Sequence, residues 1–265
     1  MAKKQVIRAA VVCHKGCERD NNEDNFFFNG DLMPLNQMDQ GAQIVQEFTD
    51  AKQLYAVCDG MGGANLGERA AYISVRQMVN FSNTFAQGTI NQNIEQFANR
   101  ISQEVAADAV KNQTRIEGST LAMVAIVKQM IYVANVGDSR VYRLRGGELK
   151  QLSDDHSEVN RMRAAGLLTE EEARKAENSN VITRYIGMDD KKRPAPFAYQ
   201  SKHTLVAGDR IMLCSDGVSD LMSRAQLQEL MTSAASAEEA ARALVLNALE
   251  LGGKDNATAI VLDVK

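Results

Sequence analysis

The strongest constraint on this chain is a pattern that occurs four times: an acid at the end of a short apolar run. Leu54–Cys58 runs into Asp59-Gly60-Met61-Gly62-Gly63, Ile131–Val136 into Gly137-Asp138-Ser139-Arg140, and Ile211–Ser215 into Asp216-Gly217. Asp255-Asn256 stands just before Ala257–Leu262. Runs of this length, bounded by turn residues, read as buried strands. A carboxylate at the end of a buried strand is costly unless it is paired or binds a cation. A single Asp-Gly would be only a turn. Here four acids each stand at an end of an apolar run that favours strand.

The rest of the chain supplies a frame for those strands. Val6–Val12 is strand-like, Cys17–Asn25 is densely polar, and Phe26-Phe27-Phe28 reads as a strand covered on both faces. Residues 32–53 are polar and Gln-rich, which predicts a long irregular excursion. Leu66–Phe81 and residues 89–112 read as helices; in the second, Ile90, Ile94, Phe97, Ile101, Val105 and Ala109 recur at three- and four-residue spacing. Ser119–Lys128, Ile131–Val136, Val141–Leu144 and Glu148–Leu152 then read as an antiparallel meander. In it, Arg145-Gly146-Gly147 is a hairpin turn and not an RNA-binding box.

Ser157–Ala165 and Thr169–Ala176 read as helices, the second opened by the capping box Thr169-Glu170-Glu171-Glu172. Residues 177–200 are irregular, so 157–198 is a candidate flap inserted between strands. Strand returns at Asp209–Ser215, and Ser223 opens a short helix. A second capping box at Ser236 opens a helix that Gly252-Gly253 stops near Leu251, before the last strand. Without regular βαβ alternation the pattern predicts an α+β layered fold, one domain over 1–265.

Composition excludes several functions. With 34 acids against 30 bases, nothing provides a basic nucleic-acid face or a polybasic membrane patch. No apolar run reaches about 18 residues, and no signal-type segment follows the basic Met1-Ala2-Lys3-Lys4. The expected location is the cytoplasm, with no membrane partner. Cys13 and Cys17 flank His14 but have no second cluster to complete a zinc site. With Cys58 and Cys214 at strand ends, the four cysteines fit reduced thiols.

If Asp59, Asp138, Asp216 and Asp255 converge, the donor set is all oxygen. That suits magnesium or manganese and not zinc or copper, and no compact calcium loop is present. Two such ions, about 3.5–4 Å apart, can share a water and activate it at neutral pH. The matching substrate is a phosphate ester, and an arginine would hold its oxygens in a two-pronged grip. Arg19, beside Asn22-Glu23-Asp24, is the candidate.

Six motifs now stand in order: Arg19-Asp20-Asn21-Asn22-Glu23-Asp24, Asp59-Gly60-Met61-Gly62-Gly63, Gly118-Ser119-Thr120, Val136-Gly137-Asp138-Ser139-Arg140, Ser215-Asp216-Gly217 and Asp255-Asn256-Ala257-Thr258. Together they resemble the metal-dependent type 2C (PPM) serine/threonine protein phosphatases, especially the single-domain bacterial branch, from about residue 6 to 264. The resemblance implies a four-layer α-β-β-α sandwich with two central antiparallel sheets and a flap. It implies that Asp59 bridges two core ions, with the Gly60 carbonyl on one and Asp216 and Asp255 on the other. Glu23 and Asp24 would act through metal-bound water, Asp138 with Asp216 would serve a third, weaker ion, and Arg19 would hold the phosphate. Phosphorylated proteins, a cognate serine/threonine kinase and a monomeric state are implied in the same way.

The chain departs from many eukaryotic members at one position: Met61 stands where they carry a histidine, so the leaving-group acid is unassigned. His156, flanked by Asp154 and Asp155, reads as structural. Two other readings are a pseudophosphatase that only binds phosphoproteins and a hydrolase of small phosphate esters. Loss of a core acid would mark the first, and none is lost.

Overall fold

Two antiparallel sheets lie face to face in the computed structural model, which describes residues 5–62, 66–114, 117–169, 172, 173, 176 and 181–265. The first sheet runs β3 (Ala42–Phe48), β1 (Ile7–His14), β12 (Ala257–Val264), β11 (Arg210–Cys214), β8 (Arg140–Arg145), β9 (Glu148–Gln151). The second runs β10 (Tyr199–Thr204), β7 (Met130–Val136), β6 (Leu121–Val127), β4 (Lys52–Gly62), β2 (Asp24–Phe28), with β5 (Glu117–Ser119) paired to the end of β4. Helices α1 (Gly67–Thr84) and α2 (Ile90–Lys111) cover the second sheet; α5 (Arg224–Ser233) and α6 (Ala237–Glu250) cover the first. Two short helices are α3 (Glu158–Ala164), between β9 and β10, and α4 (Asp216–Ser219), directly after β11. The layers are helix, sheet, sheet, helix.

The alternation of side chains along each strand builds this arrangement. On β12, Ile260, Leu262 and Val264 join the core between the sheets, while Ala257, Ala259 and Val261 pack under α5 and α6. β11 divides the same way, with Ile211 and Leu213 inward and Met212 and Cys214 outward. All three of Phe26, Phe27 and Phe28 are fully buried, as expected for a strand covered on both faces. Each such ring contributes on the order of 1.5–3 kcal/mol by leaving water.

Four expectations need correction. Residues 32–53 are not an irregular excursion: they hold a 3-10 turn at Leu35–Gln40 and the edge strand β3, which pairs with β1. An edge strand is covered on one side only, so Ile44 and Phe48 are half-buried, Val45 is exposed, and no clean alternation marks it. The four central strands are not one meander. β6 and β7 pair in the second sheet and β8 and β9 in the first, and the chain crosses between them at Gly137-Asp138-Ser139. Ser119–Lys128 is broken at Thr120 into β5 and β6. Tyr199 and Gln200, expected to be irregular, open the edge strand β10 (Tyr199–Thr204) against β7; its polar sequence hides it.

Between β9 and β10 the described chain holds α3 and a 3-10 turn, Asp190–Lys192, and is stitched to the body of the fold. Ser119 and Ile186 exchange two backbone hydrogen bonds, of 3.0 and 2.7 Å. Glu95 on α2 accepts the backbone N–H groups of Phe197 and Ala198 at 2.7 and 3.2 Å. The capping box at Thr169 forms, with Thr169 N–H on the Glu172 carboxylate at 2.8 Å and Glu172 N–H on the Thr169 hydroxyl at 3.2 Å. Most of the helix expected after it, like Gly63 and the basic residues 1–4, lies outside the described residues.

Candidate active site

The acids gather at one end of the sandwich, where β4 and β11 finish and β2 and β12 begin. Asp24 and Asp59 are direct partners across β2 and β4. Asp216 opens α4 after β11, and Asp255 precedes β12 beside it. Asp138 arrives on the crossing from β7 to β8. Close backbone approach holds these elements together. A Cβ on Gly60 would lie 2.0 Å from the Gly67 carbonyl oxygen, and one on Gly217 would lie 2.0 Å from that of Asn256. No larger residue fits either place.

A set of polar side chains braces the acids. The Ser215 hydroxyl donates to Asp24 Oδ2 at 2.7 Å and accepts the Thr258 N–H at 3.0 Å. Thr120 accepts the Asp59 N–H on its hydroxyl at 3.0 Å, which also bonds the Ser139 hydroxyl at 2.6 Å. The buried Asn256 accepts the Glu23 N–H at 2.8 Å and donates to the carbonyls of Lys15 and Asn21 at 2.7 and 2.9 Å. Arg140 reaches Asp155 at 2.7 Å and Asp220 at 3.3 Å, the two acids that flank Asp138. Ser215, Thr120 and Asn256 stand inside the quoted motifs, but no sequence signal assigned them this work. Their partners lie 43 to 241 residues away, apart from Ser139 at 19.

The electrostatics of the cluster are unfavourable in a specific way. Burial, then the charge of Asp216, holds the Asp59 carboxyl well above its ordinary range, with Asp24, Asp255 and Asp138 adding to the effect. Burial, then Asp216, Asp220 and Asp155, raises Asp138, against the pull of Arg140. Asp24 is pushed up to about 7, chiefly by burial, and Asp216 to about 6 for the same first reason. Glu23 is raised by burial and by Glu68. Asp24 Oδ1 and Asp216 Oδ1 are buried with no hydrogen-bond partner. A buried charged oxygen left unpaired costs more than about 1–3 kcal/mol.

That observation tests the metal expectation. The donor set is carboxylate and carbonyl oxygen, two of its oxygens are partnerless, and the charges that raise Asp59 are those of other carboxylates. These residues fit a hard divalent cation. Among the described residues no three acidic, histidine or cysteine side chains close into a ready-made cage. The counter-charges in place are Arg140, which bears on Asp138 and Asp216, and Arg19, whose guanidinium lies 2.7 Å from Asp255 Oδ2 while remaining half exposed. So Asp24, Asp59, Asp138 and Asp216 come together, and Asp255 joins them paired with Arg19. Glu23 lies at the margin: its carboxylate fills the space beside Gly67, where a Cβ would come within 2.5 Å. Met61 follows at the end of β4, half-buried.

His156 is structural, as read. Its N–H donates to the Gly137 carbonyl at 2.8 Å, its Nδ1 accepts the Gly137 N–H at 3.2 Å, and its carbonyl accepts the Thr183 N–H. All four cysteines are free thiols; Cys13, Cys58 and Cys214 are buried and Cys17 is exposed. Among the described residues no helix is long and apolar enough to cross a membrane.

The fold and this acid cluster match a known class. The profile of the family protein phosphatase 2C covers residues 17–257, and the chain belongs to that family. It is a metal-dependent serine/threonine protein phosphatase, a hydrolase. It is 32% identical to the protein phosphatase PhpP of Streptococcus pneumoniae over 217 residues, which cover 80% of this chain and 86% of that one. Against the serine/threonine phosphatase stp of Listeria welshimeri the figure is 30% over 225 residues, 83% and 87% of the two chains. The chain is also 30% identical to the serine/threonine protein phosphatase PstP of Mycobacterium tuberculosis, over 98% of its own length but only 45% of that protein. In three dimensions it superposes on the catalytic domain of PstP in complex with two manganese ions with a TM-score of 0.79, at 28% identity, covering 98% and 99% of the two chains. The serine/threonine phosphatase of S. agalactiae gives 0.83 at 27% identity, covering 98% and 100%.

Proposed function

We propose that the acid cluster is the dephosphorylation site and that its residues divide the work as follows. Asp59, the Gly60 carbonyl, Asp216 and Asp255 would hold two divalent ions, manganese or magnesium. Asp138, with Asp216, would hold a third more weakly, while Glu23 and Asp24 would act through intervening water. When bound, such ions activate water near neutral pH and neutralise the charge of a phosphate monoester.

The remaining work falls to this chain's side chains. Arg19 holds the substrate phosphate, because its planar donor pair matches two phosphate oxygens and it already lies among these acids. Thr120, Ser215 and Asn256 keep the carboxylates and the Arg19 loop in place through bonds to backbone and side chain. Met61 carries no transferable proton, so no side chain at that position protonates the leaving group. The substrates expected are phosphoserine and phosphothreonine proteins, made by a cognate kinase in the cytoplasm, with the enzyme acting as a monomer.

The observation that carries this reading is the pair of buried, partnerless oxygens on Asp24 and Asp216 within a group of mutually repelling acids. A calorimetric manganese titration of the wild type and of Asp138→Ala tests the division of roles. Two tight sites should survive in the variant while the weakest is lost and turnover falls. Loss of the tight sites would refute the assignment of Asp138.

A further inference from the structure

A cleft with a volume of about 1030 Å³ opens beside the acid cluster. Helix α3 forms one wall; the edge of β9 and the start of α5 form the other. Its inner end is the Asp155–Arg140–Asp220 group, whose acids bear directly on Asp138. Lys254, next to Asp255 in the chain, also lines it, so the cleft borders the acid cluster. It is also at the upper end of the range, roughly 300–1,000 Å³, that small ligands occupy.

The charge of the cleft runs against that of the chain. Five of its lining residues are cationic and three acidic, in a protein with a net charge of -4. Arg140 is spent on Asp155 and Asp220. That leaves Arg163, Arg224, Lys254 and Lys150, with Glu148 the one remaining acid among the described lining residues. The two arginines are held by neutral acceptors. Arg163 donates to the side-chain oxygen of Asn160 at 2.7 Å, and Arg224 donates through Nε to the Leu149 carbonyl at 3.0 Å. Such bonds orient a guanidinium without neutralising it, so each keeps a planar face of donors for a carboxylate.

We propose that this cleft receives an acidic stretch of the phosphoprotein substrate, so that Arg163 and Arg224 select phosphosites flanked by Asp or Glu. The proposal rests on the dephosphorylation site assigned above and adds a substrate preference to it. Charge complementarity and nearness to that site favour an acidic peptide over any other occupant. Tyr142, Val159, Leu221, Met222 and Leu227 line the cleft beside these cations and can pack against the aliphatic parts of such a peptide.

The test compares phosphothreonine peptides with acidic, neutral and basic flanks, beside a small aryl phosphate that cannot reach the cleft. Wild-type kcat/KM should favour the acidic peptide over the neutral one by roughly three- to tenfold, the scale of a few exposed ion pairs, and less so as salt is raised. In Arg163→Glu and Arg224→Glu that preference should vanish or invert while turnover of the aryl phosphate stays unchanged. An acidic peptide no better than the neutral one in the wild type, or a preference that survives both substitutions, would overturn the proposal. If the aryl phosphate itself is not hydrolysed, the dephosphorylation site is what has failed. Calorimetric binding of the acidic, unphosphorylated peptide to wild type and Arg224→Glu then still decides the cleft: weaker binding to the variant supports it, and equal or absent binding refutes it.

Discussion

Asp24 and Asp59 stand directly opposite one another on β2 and β4, so two carboxylates share one face of the sheet at its end. Like charges in that relationship destabilise the pair. Both carboxyls are raised accordingly, with burial as the first cause in each. The fold holds an arrangement that suits a cation better than it suits the protein alone.

Removing one of these charges should therefore stabilise the metal-free protein while abolishing its activity. In chelator, Asp59→Asn is expected to melt about 2–4 °C higher than wild type, the shift that roughly 1 kcal/mol gives in a chain of this size. With manganese its turnover should be lost. A lower melting temperature in chelator, or normal turnover, would contradict the reading. Thermal scans and a phosphopeptide assay settle both.

The raised carboxyls also set a pH dependence. Asp24 at about 7 and Asp216 at about 6 lie above their ordinary value of 3.8. Between those limits the folded state binds more protons than the unfolded, so these groups stabilise the metal-free protein at low pH and lose that contribution as pH rises. A divalent ion must displace the same protons. The rise in melting temperature caused by manganese should keep growing from about pH 5 to pH 8, whereas ordinary carboxylates would level off near pH 5. His156, lowered to about 4 by burial and by Arg184, works in the opposite sense, contributing stability above about 6.5 that is lost as pH falls. It acts equally with and without metal and cancels in the difference. A manganese effect independent of pH would sink the account.

Arg19 touches Asp255 at 2.7 Å but remains half exposed, placed to take a phosphate from solvent. Arg19→Ala should raise KM for a phosphothreonine peptide more than it lowers kcat, since a group that binds ground and transition states alike supplies uniform binding. Steady-state kinetics of this variant beside Arg19→Lys would show it. An unchanged KM would remove Arg19 from the phosphate site.

Asn256 ties the loop that carries Arg19 and Glu23 to the start of β12 through three hydrogen bonds. Asn256→Ala leaves those backbone groups without their partner, at about 1 kcal/mol each, so a loss of about 3 kcal/mol is expected. Hydrogen exchange should quicken across residues 15–23 and not across β6. Equal protection in wild type and variant would show that the loop is held by other contacts.

What the sequence revealed follows the strength of local signals. β4, β7 and β11 are apolar runs ended by Asp and Gly, so both the strands and their acids were legible. β3 and β10 were not, because edge strands keep polar residues on their open side. The crossing at Gly137-Asp138-Ser139 carries the same turn chemistry as a hairpin, and only pairing distinguishes a crossing between sheets from a return within one. The acids could be listed from sequence because each sits at a strand end. Their bracing could not: Ser215 meets Asp24 from 191 residues away, and nothing local to either residue encodes that contact.

The most direct test of the central claim is hydrolysis of a phosphothreonine peptide by wild type and Asp216→Asn, each with manganese, with magnesium and with chelator. Phosphate release that requires metal in the wild type, and is lost in a variant that still folds, is the predicted result. Release that persists in chelator, or that Asp216→Asn leaves near normal, would contradict the assignment of the acid cluster as the site of the reaction.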